Sequence, residues 1–205
     1  VNSTGANNVA VGAFALDANT TAANNTAVGY NALTANTEGH SNTSVGMNSL
    51  KDNTTGDSNT AVGRECLDNN TTANNNTAIG HMAAFTNTTG ADNTAVGYQA
   101  LYTNITGADN VAVGNFALYY NTAINNIAVG KSALRTNSTG AYNVAVGYDS
   151  LYDNTTGYNN VAAGNNSLRN NTTGIKNVAI GASSLDTNTT GANNVALGNE
   201  ALKAN

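Results

Sequence analysis

Asn93-Thr94-Ala95-Val96-Gly97-Tyr98-Gln99-Ala100-Leu101-Tyr102-Thr103-Asn104-Ile105-Thr106-Gly107 is followed, seventeen residues on, by the same frame: Asn110-Val111-Ala112-Val113-Gly114-Asn115-Phe116-Ala117-Leu118. In the same frame, the Gly after the apolar triplet recurs at Gly12, Gly29, Gly46, Gly63, Gly80, Gly97, Gly114, Gly130, Gly147, Gly164, Gly181 and Gly198. Ten of the eleven spacings are 17 residues, and the one from Gly114 to Gly130 is 16. The lost residue belongs to Asn121-Thr122-Ala123-Ile124-Asn125, where other repeats read N-T-T-G-x-x. A turn tolerates such a loss, whereas a strand would have its faces exchanged by it.

With each of these glycines as position 0, the repeat divides into fixed and variable slots. Position −4 is always Asn: Asn8, Asn25, Asn42, Asn59, Asn76, Asn93, Asn110, Asn126, Asn143, Asn160, Asn177 and Asn194. Position −3 is Val, Thr or Ile, −2 is Ala or Ser, and −1 is apolar. Position +3 is small (Cys66 in one repeat), +4 is Leu except Ala84, and +7 is Asn from Asn19 to Asn205. Slots +1, +2, +5, +6, +11 and +12 vary; they hold all nine Tyr, all three Phe, both His and every charged residue except Glu38. Fixed slots face something fixed, and variable slots face water or a partner.

Seventeen residues are too few for helix pairs or propeller blades, whose periods run from about 34 to 50. The β-branched–Ala–Val and small–Leu segments are short, bounded by Gly and Asn, and lack an i, i+3, i+4 stripe, so they read as two short strands per repeat. The expectation is an all-β fold: a β-solenoid (β-roll) of twelve 17-residue coils, forming one domain over residues 1–205. Coils stacked at the inter-strand spacing of about 4.8 Å make a rod of roughly 57 Å. The ends, at slots +6 and +7 with no atypical capping repeat, suggest a segment of a longer chain or fibre.

Stacking gives the composition a cause. Of the 40 Asn among 205 residues, 24 occupy slots −4 and +7, where an amide can both donate to and accept from its neighbours in adjacent coils. Pro is absent, because each coil must donate backbone N–H groups to the next. Charged residues are only 9%, and a like-charge column would repel itself at every step. In the −3, −2, −1 stretch, bulky apolar residues and Ala or Ser point to opposite faces. Neither face has a solvent-like composition, so both read as buried: one lines the interior, and the other meets a second subunit or lies in a narrow corner of the same chain.

The sequence offers chemistry little foothold, and the expectation is no enzyme, no cofactor and no metal. A net charge of −5 argues against nucleic acid, and no run of about 18 apolar residues could enter a membrane. One Cys excludes a disulfide framework; Cys66 reads as a buried stand-in for Ala. His40 and His81 occupy different slots and hence different edges. Asp92 and Asp109 share slot +12 in adjacent coils and read as solvated, and the G-G-x-G-x-D pattern of calcium-binding rolls is missing. N-x-S/T sequons such as Asn53-Thr54-Thr55 and Asn154-Thr155-Thr156 are accounted for by the ladder slot, with glycosylation a minority alternative. Tyr98, Tyr102, Tyr148 and Tyr152, at +1 and +5 of two repeats, are the candidate surface contacts, either for glycans and partner proteins or as mutual cover for the roll's edge. Thr at +8 and +9, as at Thr54/Thr55, Thr88/Thr89 and Thr189/Thr190, forms columns that an ice-binding solenoid would use.

The motif N-[VT]-A-[VI]-G-x-x-A-L resembles the N-S-V-A-I-G-x-x-S/A head repeat of YadA-like trimeric autotransporter adhesins. The longer unit from Asn93 to Gly107 also looks like β-roll repeats of phage tail fibres and of secreted haemagglutinin-like proteins. The resemblance covers the whole chain. It implies a left-handed roll, trimeric, on a bacterial outer surface or on a virion tail fibre. The expected function is a non-enzymatic extracellular fibre or adhesin segment, self-associated as a trimer or head-to-tail fibre and meeting glycan or cell-surface ligands. The alternatives are an ice-binding solenoid and a phage tail-fibre shaft.

Overall fold

A computed structural model describes residues 4–204. These residues form twelve three-residue strands, one per repeat: β1 Val9–Val11, β2 Thr26–Val28, β3 Thr43–Val45, β4 Thr60–Val62, β5 Thr77–Ile79, β6 Thr94–Val96, β7 Val111–Val113, β8 Ile127–Val129, β9 Val144–Val146, β10 Val161–Ala163, β11 Val178–Ile180 and β12 Val195–Leu197. They lie in chain order in a single parallel sheet. The register is set slot on slot, with Thr94, Ala95 and Val96 against Val111, Ala112 and Val113. The fold is a β-solenoid, and the repeat read from the glycines is its coil.

One expectation is corrected. Each coil has one strand, not two, because the small–Leu segment is a turn. The glycine at position 0 has φ between 115° and 140°; the +2 residue (φ 51–60°) and the +4 residue (φ 48–55°) are left-handed. This alternation curls the chain so that +3 and +4 both turn inward, as Ala100 and Leu101 do at zero exposure. A strand would have sent them to opposite faces. A left-handed L-residue costs about 1–2 kcal/mol. Burying the Leu contributes about 1.5–3 kcal/mol. The turn also donates to the next coil, Leu101 N–H to Ala117 O at 2.9 Å. Glycine at position 0 is obligatory: a Cβ on Gly97 would lie 2.7 Å from the carbonyl carbon of Gly114.

The core of each coil is five side chains, exemplified by Asn93, Ala95, Ala100, Leu101 and Asn104, all buried. The structure assigns the strand's two faces. Ala or Ser at −2 points inward, where the roll is too narrow for more; Ser44, in that slot, donates its hydroxyl to Ser49 O at 2.7 Å. The bulkier residues at −3 and −1 point outward and stay half-exposed or exposed. Thus the narrow-interior reading of the Ala column holds, and the expectation that both faces are buried is corrected within the chain, where the larger apolar face is uncovered.

Candidate functional site

The two Asn ladders differ in construction. Along slot −4, each backbone N–H donates to the Oδ1 of the Asn one coil earlier, as Asn25 does to Asn8 at 2.9 Å and Asn194 to Asn177 at 3.0 Å. The Nδ2 crosses the roll to the +10 carbonyl, as from Asn93 to Gly107 O at 2.9 Å, and in six coils it also reaches the Oδ1 of the preceding Asn, as from Asn110 to Asn93 at 3.1 Å. Slot +7 is a true amide stack: Asn87 Nδ2 donates to Asn70 Oδ1 at 3.1 Å, and Asn104 Nδ2 to Asn87 Oδ1 at 2.9 Å. Its Nδ2 reaches the same +10 carbonyl, Asn104 to Gly107 O at 2.8 Å. The ladders therefore converge on one acceptor per coil. The final +7 Asn, Asn205, lies outside the described residues. The stack is interrupted once, at the sixteen-residue coil. Asn121 Nδ2 bonds only Ala123 O, and the buried Oδ1 of Asn104 is left without a partner.

This geometry disposes of the ladder sequons in the folded chain. Asn53 and Asn154 have no exposure, and their Nδ2 groups are committed to Asn36 and Asn137. The two Thr columns also separate. The +8 hydroxyl donates to the next coil, as Thr54 does to Thr71 O at 3.0 Å, while Thr at +9 faces solvent, as at Thr55 and Thr156.

No cavity or cleft opens among the described residues, and no group of three or more His, Cys, Asp or Glu is gathered there. Cys66 is fully buried; its Sγ–H donates to Ala78 O at 3.1 Å, and burial pushes its thiol up to about 12. His40 Nδ1 accepts from Ala23 N–H at 3.0 Å. His81 Nε2 stands 3.6 Å from Glu65 Oε2 and its ring lies against Tyr98. Asp92 and Asp109 are exposed, in left-handed backbone at φ 58°. Two carboxylates in variable slots are not solvated: Asp149 and Asp68 are nearly buried, and Asp68 lies 2.9 Å from Lys51 Nζ. Burial raises its carboxyl above the ordinary value although Lys51 pulls it down.

Two surfaces remain for outside contact. The first is the outward strand face, the −3 and −1 residues of β1 to β12. It carries no charge, and its −3 column changes from Thr in β2–β6 to Val or Ile in β7–β12. The second is an aromatic edge. All four Tyr singled out from sequence lie on it. They are joined by residues that sequence reasoning passed over: Phe85, Phe116, Tyr119 and Arg135. Phe85 stacks on Tyr102 at 5.4 Å, and Tyr102 on Tyr119 at 5.0 Å, both with interplanar angles of 8°. Tyr98 meets Phe116 edge-on at 5.3 Å. Burial, and then the neighbouring Tyr102 and Tyr120, raise the Tyr119 phenol above its ordinary value. The missed signal was the coil-spaced column at slot +5: Phe85, Tyr102, Tyr119, Arg135, Tyr152, Arg169.

Comparison with protein-family models, with characterised proteins and with solved structures finds no match.

Proposed function

We propose that the chain is a non-enzymatic structural rod, a fibre or adhesin segment that works outside the cell or on a surface. The observation that carries the proposal is the outward strand face. It is an uncharged band, Val, Ile and Thr but for Ala163 and Leu197, that runs the length of the stack while the inward positions serve core and stacking. An exposed, largely apolar band of this size stands at the upper end of what monomeric proteins leave in water, where such patches are often contact sites. A strip about 10 Å wide and roughly 53 Å long comes to roughly 500 Å² per rod, so a pair of rods would bury about the minimum of a specific interface. Its best-matched partner is a second copy, whose side chains repeat at the same spacing. The likeness to YadA-like heads and tail-fibre repeats supports the same reading and extends it to a trimer.

The test is sedimentation and electron microscopy of the intact protein. The expected result is an elongated, self-associated particle, dissociated by Val129→Lys with Val146→Lys. Short monomeric particles, unaltered by the two substitutions, would sink the proposal.

One observation favours a second reading, ice binding. Thr26, Thr43, Thr60, Thr77 and Thr94 form a regular half-exposed column beside Val and Ile. A thermal-hysteresis measurement of zero ends that reading.

A further inference from the structure

Slot +5 accepts almost any side chain: Thr34, Lys51, Asp68 and Asp186 all occupy it. Over six consecutive coils, however, it holds only flat groups: Phe85, Tyr102, Tyr119, Arg135, Tyr152 and Arg169. Adjacent slots add Tyr98, Phe116, Tyr120 and Tyr148, so eight of the chain's twelve Tyr and Phe collect on one edge of these coils. The fold does not require this concentration.

The flat groups stack along the rod. Arg135 sits between Tyr119 at 5.7 Å and Tyr152 at 5.6 Å, with Phe116 at 5.4 Å. Arg169 lies 5.3 Å from Tyr152. Along slot +5 the ring faces are spent on one another, which removes from that column the open platform that a neutral sugar or a nucleobase stacks on. What remains outward is a row of ring edges, phenol hydroxyls and guanidinium donors. Arg135 commits Nη1 to the Tyr152 hydroxyl and its Nε is buried without a partner, so the outward end of the fork is the pair of Nη groups, of which Nη2 makes no bond among the described residues. Capped by rings, the guanidinium is held in one orientation. A planar fork so held matches a carboxylate, with less ordering left to occur on binding.

Charge points the same way. Three of the chain's seven cations, Lys131, Arg135 and Arg169, fall on this edge beside two carboxylates, Asp149 and Asp153, which leaves it net positive in a chain with net charge −5. Asp149 lies 3.8 Å from Arg169, while no carboxylate pairs with Arg135. The two arginines are two coils apart, about 10 Å along the rod, with Tyr152 between them. Three cations are too few for nucleic acid, which needs a basic surface.

We infer that this edge binds an acidic polysaccharide lying along the rod axis, its carboxylates on Arg135 and Arg169 and its hydroxyls on the Tyr edges. The site rests on the proposal that the variable edge makes the rod's outside contacts, and it is independent of association through the strand face. The test is calorimetric titration with hyaluronan octasaccharide, which carries one carboxylate per disaccharide, against a neutral chitin oligomer and poly-glutamate. Hyaluronan should bind, weakening as salt rises. Arg135→Gln and Arg135→Lys should each weaken it at least tenfold, with Tyr158→Ala unchanged. Other coils carry Lys and Thr in slot +5, so both Arg135 variants are expected to fold, as circular dichroism will check. The inference is overturned by no binding, by equal binding of the chitin oligomer or poly-glutamate, or by wild-type binding of Arg135→Lys. Sedimentation of the same samples reads self-association separately. Rods that bind hyaluronan as monomers would remove the fibre proposal and leave this site standing.

Discussion

The corner after Asn154 and the corner after Asn104 are built from the same slots and end differently. After Asn154, five hydrogen bonds tie one coil to the next, one of them from Gly157 N–H to Thr172 O at 3.4 Å. Asn171 Nδ2 donates to Asn154 Oδ1 at 2.9 Å. The N–H groups of Thr155 and Thr156 donate to Thr172 O at 2.9 and 3.2 Å, and the Thr155 hydroxyl donates to the same oxygen at 3.0 Å. After Asn104, where the next coil has sixteen residues, none of the five is made. Ile105 replaces the Thr, and Ile105 and Ile124 stand 50% and 40% exposed beside the gap. On the strand side of the same two coils nothing is disturbed: Asn126 N–H still donates to Asn110 Oδ1 at 3.0 Å, and β7 and β8 stay in register. The strand column carries the register, and a corner can fail alone without the stack losing its place.

Removing the amide from each corner should have the largest effect. Asn171→Ala deletes two donated bonds and the acceptor for Asn188 Nδ2, and it leaves Asn154 Oδ1 buried and unpaired. Each buried orphan costs about 1–3 kcal/mol, so the expected loss is roughly 3 kcal/mol by denaturant titration. Asn104→Ala also loses two donated bonds, but its own Oδ1 is already unpaired. Its cost should therefore be smaller by about 1 kcal/mol. Equal losses would show that the orphaned oxygen is not a liability.

Changing the length of the corner is the next test. Inserting Thr between Thr122 and Ala123 restores seventeen residues and should restore the Asn121–Asn104 rung and two backbone bonds. A gain of about 1–3 kcal/mol is expected, at about 1 kcal/mol per bond. Deleting Thr156 from the intact corner should cost a similar amount. In a stacked array each such change acts through nearest neighbours, so the amides that change protection in hydrogen exchange should be confined to the flanking coils. Protection lost along the whole stack would contradict a local corner.

What could be read from the sequence follows what the repeat holds constant. Invariant Asn8 to Asn194 and the invariant glycines gave the coil, its parallel register and both ladders, because a repeated backbone exposes any side chain that cannot change. The Ala/Ser column and the Val/Thr column were legible as two faces, but not which was inside. That depends on the width of the roll, fixed by the left-handed Leu at slots such as Leu101 and Leu118. The same Leu hid the missing strand: small–Leu reads as extended until φ near 50° is known. Of the candidate edge, the four Tyr were found as exposed aromatics. Arg135 and Tyr119 were not, since their role comes from stacking between coils, and the shortened coil shifts that column by one residue.

The smallest expected effect tests whether the open corner is a matter of side chain or of chain length. Ile105 occupies the slot in which Thr54, Thr71, Thr88, Thr155 and Thr172 donate a hydroxyl to the following coil. If Ile were the cause, Ile105→Thr alone would regain that bond. The acceptor for such a hydroxyl would be Thr122 O, and the backbone N–H groups of Ile105 and Thr106 do not reach it either, so the shortened turn is the cause. Ile105→Thr should then be close to neutral in the natural chain, and it should add about 0.5–1.5 kcal/mol once Thr has been inserted after Thr122. That coupling, measured as a double-mutant cycle by thermal or denaturant unfolding, is the quantity that decides. A gain from Ile105→Thr without the insertion would place the fault in the side chain and leave the missing residue blameless.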